Sequence, residues 1–300
     1  MLLLLLTALQ APLSPADTVL ATARRAVTSL SDTAAARVAG YRPITEMGIP
    51  DKVPFQGEHW SLPIRDTTTI MERPAFLMFG PVNGEHRRIG VAYAVRVRLE
   101  QPAPDGLGGD RAAKWHDHFW CDSIPARPAG FVVNQPENCT SQGGVVNPWR
   151  VVMVHVWTDV DSPEGVYGHD NPALPFVALG LTPPTAHDLH DVEKARAARK
   201  LAWALGEAYD ARLPLARRIE RENRNPALAD SLQQRRKILS ALIPRLRRSE
   251  GNHPAYKRVA AEVVTEWEAM LGIYERMASP ELRRRVRPRH EAVIAVSAHH

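Results

Sequence analysis

The chain has 300 residues, 44% apolar and 24% charged, with a formal net charge of +5; this excludes an intrinsically disordered chain and allows one large domain or two of ordinary size. Its cations are mostly arginine in an alanine-rich background, and the basic runs Arg245 to Arg248 and Arg283 to Arg289 carry no interleaved aromatics, so no nucleic-acid partner is expected.

Residues 1–16 read as a signal peptide. Met1 to Leu6 is an apolar start too short to span a bilayer, and Ser14-Pro15-Ala16 supplies small residues of the kind a signal peptidase reads, although a basic leading segment is missing. A periplasmic or secreted protein with no transmembrane segment is the expectation. Residues 17–40 then form a helical segment, because Val19, Leu20, Ala23, Ala26, Val27, Leu30, Ala34 and Val38 recur at helical spacing. Ser14 or Asp17 can cap its start, Ser31-Asp32 can open a second helix, and Gly40 suits its end.

Over 41–181 most of the 25 prolines interrupt the chain and leave room for strands rather than long helices. Ala75 to Phe79 and Arg88 to Arg98 flank Asn83-Gly84, a strong hairpin signal. In the second run Val95, Val97 and Leu99 alternate with Arg96 and Arg98, which predicts one wet face. Trp115 to Trp120 and Val151 to Thr158 read as further strands, joined by an irregular connection that a Cys121–Cys139 disulfide would restrict. Thr182-Pro183-Pro184 marks a boundary, beyond which 185–298 reads as a helical domain: Val192 to Ala211, Pro226 to Ile243, Ala255 to Met277 and Pro280 to Val296, with Asp188 and Ser279 as caps. Trp203, Trp267 and Tyr274 fall on apolar stripes suited to a core or to an oligomer contact. The fold class is therefore α+β: N-terminal helices, an antiparallel sheet or sandwich in the middle, and helices at the C-terminus.

The candidate chemistry lies in histidines. His116 and His118 are two apart, so on a strand both face one way. His155 stands in Val151 to Trp157, where every neighbour is apolar, and a buried imidazole must find a partner. His59 follows a glycine that permits close backbone approach. His59, His116, His118 and His155 are therefore the candidate ligands of a divalent metal, zinc ahead of copper, with Glu58 or Glu46 as ligand or general base. On an extended segment Glu58 and His59 point to opposite faces, so at most one of them joins the site without a bend. His169-Asp170-Asn171-Pro172 is read as holding its own turn. Phosphate loops, dinucleotide fingerprints, Gly-x-Ser-x-Gly elbows and His-Glu-x-x-His helices are absent from the sequence.

Ala36-Arg37-Val38-Ala39-Gly40-Tyr41-Arg42-Pro43, Gly57-Glu58-His59-Trp60, Met153-Val154-His155-Val156-Trp157 and Asp170-Asn171-Pro172 resemble a group of exported bacterial proteins without an assigned function. In that group a Gly-Tyr-x-Pro step leads to a Gly-x-His-(Trp/Tyr) element and a His-x-Trp strand followed by an Asn-Pro-x-Gly-like turn. The resemblance covers roughly 22–181 and departs from the group at Ser162 and in the helices beyond Pro184. It implies export, and it implies that His59 and His155 share a site. The expected function is that of an exported protein with a histidine-rich metal site, capable of metal-assisted hydrolysis or hydration on an unknown small molecule. The alternative is a non-catalytic envelope or interaction protein with structural histidines, its helices docking a partner.

Overall fold

A computed structural model describes residues 13–47, 54–64, 67–122, 131–133, 135–141, 143–209, 219–220 and 225–280. Most of the expected signal peptide, and all but the first residue of the helix expected from Pro280 to Val296, lie outside the described residues. The first helix, α1 (Pro15–Ala26), begins where Ser14 accepts from the Asp17 amide, so residues 14–16 form its start. In α2 (Thr33–Val38) Asp32 accepts from Ala35, and Gly40 follows at φ 95°.

The middle of the chain is an antiparallel seven-stranded sheet in the order β1-β2-β3-β4-β7-β5-β6. Its strands are β1 (Arg42–Pro43), β2 (Glu58–Ser61), β3 (Phe76–Val82), β4 (Glu85–Arg98), β5 (His116–Asp122), β6 (Phe131–Val133) and β7 (Val145–Val156). The β3–β4 hairpin turns at Asn83 and Gly84, both at positive φ (51° and 82°), as a two-residue turn matched to strand twist requires. Two strands begin earlier than the sequence predicts: β4 at Glu85 rather than Arg88, and β7 at Val145 rather than Val151. The Cys121–Cys139 disulfide is formed and joins β5 to a short helix, α3 (Glu137–Thr140).

Side-chain alternation divides the sheet. Trp60, Leu77, Phe79, Val91, Tyr93, Val154 and Val156 pack on one face against Val19 and Ala23 of α1, Val27 at its C-cap, and Ala36 of α2. Arg88 fastens this layer: its guanidinium pairs with both carboxylate oxygens of Asp159 and donates to the carbonyls of Val27 and Leu30 at the end of α1.

Beyond the sheet come α4 (Leu174–Ala178), α5 (Ala186–His190), α6 (Val192–Ala208), α7 (Pro226–Ser249) and α8 (His253–Met277). Asp191, not Asp188, caps α6 at Val192; Asp188 instead belongs to α5, where Thr185 is the cap and Asp188 accepts from the Thr185 amide as the other half of a capping box. Trp203, Trp267 and Tyr274 are buried, and the helical core also takes in Phe55, Phe176 and Leu181 from the sheet side of the boundary. Phe55 meets Trp203 edge-on at 4.6 Å between ring centroids. Thr182-Pro183-Pro184 is therefore a change of architecture across which the apolar packing continues. No described helix is long and apolar enough to cross a membrane.

Candidate functional site

The second face of the sheet carries the histidines, and register decides it. Ser61 pairs with Phe76, Phe76 with Ala92, and Ala92 with His155. His116 pairs with Met153, and His118 with Val151. Paired residues share a face, and so do residues two apart on a strand; His59, His155, His116 and His118 therefore all project the same way. His59 and His155 lie on β2 and β7, three strand spacings or about 14 Å apart in a flat sheet, yet their ring centroids are 5.5 Å apart. The sheet curls around this face, and the small, fully buried Ala92 between the two strands leaves room for the rings to meet. Gly57 serves the same approach: at φ +72° it passes so close to β3 that a Cβ there would lie 2.5 Å from the Phe79 oxygen.

A further histidine joins them. His116, His155 and His169 form a closed triangle, with centroid separations of 5.0 Å between His116 and His155, 4.4 Å between His116 and His169, and 5.5 Å between His155 and His169. His59 extends the group from His155, and His118 from His116 at 4.9 Å. The sequence reading missed His169, which follows no periodicity because it sits in a loop. What brings it in is the His-x-Trp pattern: His155 Nδ1 donates to the carbonyl of His169 and Trp157 Nε1 to that of Gly168, each at 2.7 Å. Asn171 closes the loop by donating to Val160 O and accepting from the Ala173 amide. The part of the reading that gave 169–172 a turn-holding role applies to Asn171; the His169 ring belongs to the cluster.

The electrostatics follow from crowding. Burial, then the neighbouring imidazoles, holds His116 well below the usual histidine range, and His155, 2% exposed, is depressed for the same reasons in the same order. Because a carbonyl only accepts, Nδ1 of the neutral His155 carries the proton and Nε2 carries a lone pair. His169 is different: burial pushes its pKa down, but the hydrogen bond and charge of Asp170, with Glu164 beyond, raise it overall. Its Nδ1 lies 3.1 Å from Asp170 Oδ1, which also accepts from Gln56 Nε2 at 2.8 Å. Burial raises Glu164, a shift that its ion pair with Arg199 on α6 partly offsets.

The two carboxylates proposed from sequence are elsewhere. Glu58 projects from the opposite face, as its adjacency to His59 requires, and meets His86 Nε2 at 3.4 Å. Glu46 is bound to Arg37 at the surface. Asp170 and Glu164 are the carboxylates beside the imidazoles. Among the described residues, no group of three or more histidine, cysteine, aspartate or glutamate side chains has its ligating atoms arranged to hold a metal ion as it stands. No protein-family model, curated protein or solved structure matches the chain.

Proposed function

We propose that this chain is an exported metal-binding protein that holds one divalent ion, zinc ahead of copper, through His116, His155 and His169, with His59 or His118 completing the set. The observation that carries the reading is the spacing of the rings. Imidazoles bound tetrahedrally to one zinc at about 2.1 Å through nitrogen have centroids about 5 Å apart; the triangle measures 4.4 to 5.5 Å. Reaching a bound geometry asks the rings to turn, not the strands to move.

The surroundings support the same conclusion. His155 and His169 have their Nδ1 atoms tied to a carbonyl and a carboxylate, the arrangement that aims the other ring nitrogen of a metal-binding histidine. Neutral His116 and His155 have no proton for a metal to displace at neutral pH. The disulfide fits an oxidising compartment, and the resemblance over 22–181 points the same way.

Zinc bound here would lower the pKa of a coordinated water and make hydrolysis or hydration the natural reaction class. Glu164, less acidic than an ordinary carboxylate and close to His169 and Asp170, is the protein group suited to take or return a proton. The second reading, a non-catalytic interaction protein with structural histidines, draws on the hydrogen bond that already satisfies Nδ1 of His155. Elemental analysis of untagged protein separates the two. Near-stoichiometric metal, lost in His155→Ala with the fold retained, supports the proposal; absence of metal at every pH from about 6 to 8, across the range where imidazole titrates, overturns it.

A further inference from the structure

Along β4 the face that carries the histidines continues as Ala92, Ala94, Arg96 and Arg98, and along β7 as His155, Met153, Val151 and Trp149. Arg96 pairs with Val151, itself the partner of His118, and Arg98 pairs with Trp149. Both guanidinium carbons stand over the Trp149 ring, Arg96 at 5.2 Å and Arg98 at 5.0 Å from its centroid. Two like charges gathered on one indole repel each other, which an anion between them would offset.

The contrast with Arg150 is informative. Arg150 projects from the opposite face, where Nε meets Asp117 at 2.7 Å and its other nitrogens donate to Leu99 O and Gln101 O. Among the described residues Arg96 and Arg98 have no carboxylate or carbonyl partner, and their contact is the indole they share. Planar guanidinium forks recognise carboxylate and phosphate by paired hydrogen bonds, and the indole offers an apolar platform beside them.

We infer that Arg96, Arg98 and Trp149 bind the carboxylate or phosphate group of a small organic molecule whose remainder extends along the sheet toward the histidines. This deepens the metal reading by naming the substrate class, and it rests on that reading only for the reaction, not for the binding. Two strand spacings, about 10 Å, separate the Arg96 backbone from that of His118, and long side chains shorten the gap, so the ligand has the size of one ring and its substituents.

The test is calorimetric titration of the full chain, loaded with zinc and metal-free, with phenyl phosphate, benzoate and uncharged benzyl alcohol. One or both anions are expected to bind one per chain with Kd below about 1 mM, the arm that binds identifying the anion class, while benzyl alcohol does not. In Arg96→Gln/Arg98→Gln the affinity should fall about tenfold or more, and in Arg98→Lys by less, because the charge remains but the fork is lost. Metal content should be the same in all these variants. Arginine-dependent anion binding in a protein that holds no metal would keep this site and remove the metal reading. Unchanged affinity in the double variant, equal binding of benzyl alcohol, or no heat from either anion overturns the inference.

Discussion

His155 donates its Nδ1 proton to the main-chain oxygen of His169, 2.7 Å away, while the rings of the two residues stand 5.5 Å apart in the same cluster. The residue that orients His155 is thus also one of its companions, and the two contribute differently. His155 is buried in the sheet, so His155→Ala leaves a cavity and an unpaired carbonyl and should cost about 2–4 kcal/mol. The His169 side chain is half exposed, so His169→Ala should cost less than about 1 kcal/mol. Both should weaken metal binding by at least about tenfold. Urea unfolding of the metal-free proteins paired with metal titration checks this, and a His169→Ala variant that bound metal like the parent would show that His169 is not a ligand.

In the metal-free protein the same crowding predicts acid sensitivity. His116 and His155 have folded pKa values depressed first by burial and then by neighbouring imidazoles, so below about pH 6.5 the unfolded chain binds protons that the folded one does not. Stability is then fully present above that pH and lost as pH falls, by up to about 1.4 kcal/mol per pH unit for each ring that stays neutral. His169, raised overall by Asp170, has the opposite sign: its contribution is present below about pH 6.5 and lost as pH rises through its folded pKa. Its exposure to solvent keeps that contribution the smaller of the two. Chemical denaturation at intervals from pH 7.5 to 5 should give falling midpoints, and a flat or rising profile would contradict the neutral assignment.

How much of this was legible in the sequence depends on the range of the interaction involved. Alternation alone put His116 and His118 on one face and separated Glu58 from His59, because both are facts of one strand. The hairpin at Asn83-Gly84 was equally local. That the face of His59 is also that of His155 depends on the pairing chain through Phe76 and Ala92, which no single segment encodes. Arg96 and Arg98 read correctly as one side of an alternating strand, yet that side proved to be the histidine face. His169 was out of reach because its place is set by hydrogen bonds from His155 and Trp157 to loop carbonyls, and backbone acceptors leave no residue-specific trace. Asp191, three residues beyond the expected Asp188, caps the helix that starts at Val192, a boundary error of the usual kind.

Arg88 ties the outer layer to the sheet, and its loss should be costly. Its side chain is 8% exposed, paired with Asp159 at 2.9 Å, and donates to the end of α1. Arg88→Ala strands Asp159 and the carbonyls of Val27 and Leu30, a loss of about 3–5 kcal/mol for a broken buried pair. Amide hydrogen exchange should show α1 losing protection ahead of β4 and β7. Uniform loss across the sheet, or a change under about 1 kcal/mol, would mean that the helix is held by its apolar contacts alone.

The disulfide should stabilise the chain without governing the histidines. Cys121 and Cys139 are fully buried with Phe119 and Val133, and close a loop with a sequence separation of 18; opening it should cost about 3 kcal/mol. His116 and His118 lie on the other side of the irregularity that interrupts β5–β7 pairing between Phe119 and Cys121. Their registers with Met153 and Val151 are set before that break. Sites about 10 Å apart along a strand and without shared partners behave nearly additively. Cys121→Ala/Cys139→Ala, which avoids placing hydroxyls in an apolar pocket, should therefore unfold at clearly lower urea while its affinity for zinc stays within about threefold of the parent. A larger loss of zinc affinity would show that the disulfide-bonded end of β5 positions the imidazoles across the break.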